Sequence, residues 1–276
     1  MNRPAGDRIR SQAVSQNPRS AGFTAIEFLV LLGILVILAS IFIPYAMKIR
    51  EENRRIACRD HLQQIYQAMQ AYAKVNGSFF PAAGRHDPTL PLTVFAGDPT
   101  AANNVTASLW LLVRGGYIAD PAVFRCPSLG RASAPADRQL LDFPDRSNLG
   151  YSYAAPFGLV ESFRLTDVLA ADFVVLADLN PGTADAVGRD APLLEMAGVN
   201  SRSHRRAGQN VLYAYGRAEW HITPYCGMNN DNIYTVRGTR GSTQPASQPA
   251  TTRGTTDLTI LPSAPDDTFA LPTAAP

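Results

Sequence analysis

From Phe23 to Ile43 the chain is almost wholly apolar, FTAIEFLVLLGILVILASIFI, and no other feature limits its possible folds as much. A helix of about 20 apolar residues, rising about 1.5 Å each, spans the hydrocarbon core of a bilayer. Pro44 follows, where proline stops or kinks a helix. A cleaved secretory signal fits less well, because its apolar region is about 7–15 residues long and ends at a small-residue cleavage site. Ala39-Ser40 is a poor version of such a site, and the run is too long. Residues 1–22 are polar, with Arg3, Arg8, Arg10 and Arg19 against Asp7, while Lys48, Arg50, Arg54, Arg55 and Arg59 follow the span. Basic residues on both sides leave the orientation undecided by charge.

Glu27 is the anomaly, a carboxylate inside an apolar run, where ionisable groups are costly and usually have a partner. It either sits tolerated at the membrane interface or waits for a cation. The residues Gly22-Phe23-Thr24-Ala25-Ile26-Glu27 resemble the cleavage and methylation motif of type IV prepilins. The resemblance implies that a membrane prepilin peptidase and methyltransferase cuts between Gly22 and Phe23 and methylates the new Phe23 amine. It further implies that Glu27 accepts the Phe23 ammonium of a neighbouring pilin-like subunit, two charges becoming tolerable in lipid when paired. Pro44 falls where these families often carry a helix-bending proline. The sequence departs from the motif at Ala21, where a basic residue is usual, and at Ala25, where a larger apolar residue is usual.

Beyond Pro44 the pattern turns amphipathic. Leu62, Ile65, Tyr66, Met69, Tyr72 and Ala73 recur at spacings of three and four, with Arg59, Gln63, Gln67, Gln70 and Lys74 opposite. Asn76-Gly77 marks a helix C-terminus. Residues 23–75, if fully helical, make a rod of about 80 Å. Ser108–Tyr117 reads as a short helix or strand before a Gly-Gly turn. Strands are expected near 151–154, 173–178 and 210–220, the last a hairpin around Tyr215-Gly216. From Arg237 onward Gly, Thr, Ser, Pro and Ala dominate, too polar to bury a core, so the tail reads as disordered. The expected layout is a leader (1–22), a transmembrane helix (23–45), an amphipathic helix with a head (46–236) and a tail (237–276).

A second resemblance lies in the C-terminal half. Cys126-Pro127-Ser128, the stretch Asn200 to His204, Gly208, Asn210, Gly216 and Asp231-Asn232 are similar to the large planctomycete pilin-like family. That family carries an Asp-Gly pair shortly after the histidine; here the pair reads Tyr215-Gly216, without the acid. The two resemblances imply a pilin-like α+β fold, a long N-terminal helix packed on an antiparallel sheet. They also imply a single-pass protein of the inner (cytoplasmic) membrane with a cytoplasmic N-terminus and an extracytoplasmic head. Other pilin-like subunits and an inner-membrane assembly platform, as in type II secretion or type IV pilus systems, are the implied partners.

Net charge is +2, too small to point to nucleic acid. His204 with Asp178, Asp185, Asp190 and Asp231 could in principle assemble a metal or hydrolytic cluster, but no His-x-x-x-His, Cys-x-x-Cys or Gly-x-Ser-x-Gly pattern supports one. The expectation is therefore no catalysis and no cofactor. Asn229, Asn230 and Asp231 offer oxygens to calcium without EF-hand spacing. Of three cysteines, Cys58 reads as a small apolar residue on the rod, while Cys126 and Cys226 could pair, closing a loop of about 100 residues worth about 3–5 kcal/mol. Two functions remain beside an unsupported hydrolase: a pilin-like structural subunit, or an extracytoplasmic binding module tethered by the same helix.

Overall fold

The computed structural model describes residues 23–84, 92–95, 97, 103–130, 134–135, 137–157, 165–182 and 187–235. The leader with Gly22, Asp185 and the tail from residue 237 lie outside them. The chain divides into two compact units, one ending at Lys48 and the other starting at Ile49.

Helix α1 runs from Ala25 to Val75. Its first part meets the length and composition needed to cross a membrane, and every residue from Phe23 to Tyr45 is exposed. Large apolar side chains left bare on all sides of a helix fit a lipid environment or packing against other helices, not water. Pro44 stands inside the helix and does not end it. Proline removes one hydrogen bond, to the carbonyl four residues back, and a long apolar helix tolerates that loss.

In the second unit the amphipathic stripe is buried as the spacing requires: Leu62, Ile65, Tyr66, Met69 and Ala73, with Tyr72 partly covered. Two further residues share the stripe, Cys58 and, unexpectedly, Glu51. The helix ends with Gly77 in the left-handed region (φ 65°) and Ser78 N donating to Ala73 O (2.9 Å), a Schellman-type stop.

Strands β1 (Leu92–Thr93) and β2 (Asn103–Asn104) form a two-residue parallel pair. Helix α2 (Val105–Arg114) follows, capped by the Asn104 side chain accepting from Ala107 N (3.1 Å) and ending at Gly115-Gly116. The expected segment at 108–117 is thus a helix, and it starts three residues earlier because the asparagine supplies the cap.

The sheet is antiparallel, in the order β3 (Tyr151–Tyr153), β4 (Val174–Asp178), β5 (Gln209–Tyr213), β6 (Ala218–His221), with the single-turn α3 (Leu193–Met196) between β4 and β5. The β5–β6 hairpin turns at Ala214–Arg217, closed by Gly216 N to Tyr213 O (2.8 Å). The architecture is therefore α+β, a long helix with a small antiparallel sheet.

Both faces of the sheet are covered. One carries the main core, where Val175, Leu176 and Leu212 meet Cys58, Leu62, Ile65 and Met69 of α1 together with Trp110 and Phe124. The other carries a smaller cluster of Val174, Ala177, Val211, Tyr213, Ile233 and Tyr234, with Cys226 packed against it. Side chains alternate across a strand, and an irregularity in the register between Val174 and Leu176 shifts that alternation, so β4 and β5 feed both cores at once. This partition corrects one expectation: Cys126 belongs to the main core and Cys226 to the opposite one, so the sheet stands between them. All three cysteines are free thiols. Cys226 Sγ instead faces Pro224 O at 3.7 Å.

Candidate functional site

At the start of α1, Thr24 N and Thr24 Oγ1 both donate to Glu27 Oε2 (2.8 Å each), and Glu27 N donates back to Thr24 Oγ1 (3.3 Å). This is a capping box, in which two backbone N–H groups that a helix start leaves unpaired are satisfied reciprocally. Glu27 thus has a partner in its own chain, and its Oε1 makes no bond to the described residues. Phe23 is exposed beside it.

The residues of the C-terminal motif fall into two sets. Gly208, Gly216, Asp231 and Asn232 shape the backbone. A side chain on Gly208 (φ 150°) would collide with His221 O and the Trp220 ring, and Gly216 (φ 87°) occupies the hairpin turn against Tyr66 of α1. Asp231 O accepts from Gly227 N (2.9 Å), and Asn232 Oδ1 accepts from Tyr234 N (3.0 Å), closing the loop that holds Asn229 and Asn230. His204 and Asn210 go elsewhere, into a buried polar centre on the main-core face.

That centre draws on four segments far apart in sequence. Cys58 comes from α1, Cys126 from the loop after the turn Pro121–Phe124, Asp178 from the end of β4, and His204 from the loop entering β5. Cys58 Sγ and Cys126 Sγ are 2.7 Å apart, Cys126 Sγ is 3.7 Å from His204 Nε2, and His204 Nε2 is 3.5 Å from Asp178 Oδ2. Among the described residues this is the group of His, Cys and acidic side chains whose ligand atoms converge, all within 4.8 Å of one another. Cys58, Asp178 and His204 are 0% exposed and Cys126 2%.

A second layer orients the first. His204 Nδ1 donates to Glu51 Oε1 (2.8 Å), and Ser128 Oγ donates to the same oxygen (2.7 Å). Asn210 N and Nδ2 donate to Asp178 Oδ2 (2.7 and 3.2 Å). The Trp220 ring stands edge-on to His204, with the Arg55 guanidinium 4.1 Å above that indole. Gly150 lets β3 approach closely, since a Cβ there would press on the Cys126 backbone. His204, Arg205 and Arg206 all adopt left-handed backbone (φ 53°, 57°, 59°). Such conformations cost an L-residue about 1–2 kcal/mol each and persist only where surroundings hold them. Here the histidine is held at both ring nitrogens.

The electrostatics follow from burial against pairing. Burial pushes the Asp178 carboxyl up to about 7, helped by the neighbouring Cys126 and opposed by His204 and Asn210. Burial alone would lower His204, but Cys126, Asp178 and Glu51 outweigh it and raise the imidazole to about 9. A hydrogen bond from Cys58 outweighs burial and, with His204, holds Cys126 down at about 5, while burial and Cys126 push Cys58 up. Burial would also raise Glu51, yet the bonds from Ser128 and His204 leave it lowered.

Of the acidic residues considered with His204 that are among the described residues, only Asp178 reaches it. Asp190 pairs with Arg189 (3.7 Å), and Asp231 belongs to the Gly227 turn. Sequence reasoning missed Cys58, read as packing, and Glu51 altogether. The available signal was a glutamate and a cysteine seven positions apart on an apolar stripe, since a buried polar residue is the informative exception in a core.

Comparison with models of protein families, with curated proteins and with solved structures finds no match to this chain.

Proposed function

We propose that this chain is a pilin-like structural subunit, cut after Gly22 by a prepilin peptidase, methylated at Phe23 and assembled through its membrane-spanning helix. The observation that carries this reading is the start of α1, exposed and apolar as far as Tyr45, where Glu27 in the first turn is the one acidic residue. A helix apolar all round fits lipid, and an ionisable group within it reads as functional by default. The capping box uses Glu27 Oε2 and leaves Oε1 for a cation, so capping its own helix and receiving a neighbour's Phe23 ammonium are compatible tasks. The long helix and the antiparallel sheet agree with the pilin-like architecture that the motif implies. In this reading the N-terminus lies in the cytoplasm, the head outside the inner membrane, and the assembly belongs to a type II secretion or type IV pilus system.

Mass spectrometry of the chain from its native membrane tests the processing step. The expected mature start is N-methylated Phe23; an intact Met1 leader, or a start beyond Ile43, refutes it. Sheared filaments test assembly, with the chain recurring as a subunit. A processed chain that stays in the membrane fraction and joins no filament identifies a tethered extracytoplasmic module instead.

A further inference from the structure

The buried centre calls for an explanation that the assembly reading does not supply. Two thiols, an imidazole and a carboxylate have been gathered in an otherwise apolar core from four segments, Cys58 and Cys126 lying 68 positions apart. Buried charge is tolerated when paired or when it coordinates a metal. Pairing accounts for part of the centre only: Asp178 Oδ1 is buried with no hydrogen-bond partner among the described residues.

We propose that Cys58, Cys126, Asp178 and His204 form a structural zinc site. The ligand chemistry fits, since thiolate, imidazole and carboxylate are the groups zinc takes in closed tetrahedral sites. With bonds of roughly 2.0–2.3 Å, the edges of such a tetrahedron are roughly 3.3–3.8 Å. The thiol–imidazole edge (3.7 Å) and the imidazole–carboxylate edge (3.5 Å) already have that length. The thiol–thiol edge of 2.7 Å is shorter, and an ion between the sulfurs spreads it by about 1 Å.

The surroundings are those of a metal site as well. Zinc-bound histidines donate their other ring N–H to a carboxylate, which fixes tautomer and orientation, and His204 Nδ1 does so to Glu51. The Asp178 ligand is likewise held by Asn210. An open groove of about 640 Å³, lined by His61, Arg125, Cys126 and Pro127 among others, borders the centre at Cys126, the side from which an ion would enter. A Cys58–Cys126 disulfide would use the two sulfurs but leave His204 and Asp178 facing one another without a purpose. This inference is independent of the membrane-assembly reading and survives its failure.

The test is the metal content of the full chain, extracted from membranes in mild detergent, reduced and free of chelator. The expected result is about one zinc per chain by plasma mass spectrometry. After exchange to cobalt, thiolate-to-metal bands in the near ultraviolet and intense ligand-field bands in the visible are expected. Cys58→Ser and His204→Ala should lose the zinc and the spectrum. Asp178→Cys, which substitutes one zinc ligand for another, should keep both. Glu51→Gln, which touches no ligand atom of the ion, should weaken zinc binding roughly 10–100-fold in a chelator competition. If the serine and alanine variants fail to accumulate, the cobalt spectrum of the unaltered chain decides alone. Wild-type chain without zinc that gives no thiolate–cobalt bands overturns the proposal, as does native chain carrying a Cys58–Cys126 cross-linked peptide, or zinc retained at full affinity in Cys58→Ser.

Discussion

Glu27 caps the start of its own helix, and in the proposed reading the same carboxylate also receives a cation in the membrane. Glu27→Gln separates the two roles. An amide oxygen still accepts from Thr24, so the helix start should survive, and the neutral side chain should insert more readily. What the amide cannot do is neutralise a neighbour's ammonium in a low-dielectric site. The variant is therefore expected to insert and be cut, yet to dock with other subunits roughly two to three powers of ten more weakly, read by cross-linking along the helix. Unchanged incorporation into filaments would refute the pairing. Gly216 makes a second point at this scale. With φ at 87° and Tyr66 3.0 Å from where a Cβ would sit, Gly216→Val should destabilise the head by about 1–2 kcal/mol, measured as a lower Tm. A third concerns acid. Burial holds the His221 imidazole below its ordinary value, only partly offset by Glu219 at 4.0 Å. The unfolded chain then binds the proton more readily than the folded one, so stability present above the unfolded pKa is lost as pH falls through the imidazole range. His221→Gln should flatten that part of the pH–Tm curve; an unchanged slope would show that another group carries it.

One helix, α1, holds two kinds of sequence in succession, and its two parts obey different rules. The first is apolar on every side; the second is apolar on one stripe, which meets the sheet. The stability of the second part comes from that stripe, because tertiary packing of an apolar face outweighs helix propensity. Leu62→Ala, at a site with no exposure, should cost about 2–5 kcal/mol in thermal unfolding of the detergent-solubilised chain. The same change on the polar side, Gln67→Ala, should fall within about 0.5 kcal/mol. The sheet shows a related economy. Because β4 and β5 are buried on both faces, the main core and the smaller one depend on the same two strands. A large loss in either core should therefore lower both together, giving a single unfolding transition for the unit from Ile49.

At the scale of the whole molecule the chain divides near Lys48 into two compact units. The unit from Ile49 has its own core, four-stranded sheet and buried polar centre, and owes none of them to residues 23–48. A chain beginning at Ile49 should accordingly stay in solution without detergent and melt within a few degrees of the head in the full chain. Aggregation of that chain, or a head that melts far earlier, would show that the division does not mark an independent fold.

Much of this was open to reading along the chain because the physics was local. The span follows from the length of one apolar run, the stripe on α1 from spacings of three and four, and the hairpin from a glycine between two apolar strands. The helix at 105–114 was half-read, its type settled only by the Asn104 cap. Glu27 stood out because a charge in an apolar run is anomalous by itself. The buried centre was not readable in the same way. Cys58, Cys126, Asp178 and His204 have no characteristic spacing, since each reaches the site from a different element and the sheet and helix set their separation. The same cause misdirected the cysteine pairing: Cys126 and Cys226 look equivalent in sequence, and only the packing of their segments against opposite faces of the sheet separates them. Hydrophobic period determines which elements form and which side of each is buried; which polar groups meet inside is decided by how those elements pack, because contacts between distant segments leave no period in the sequence.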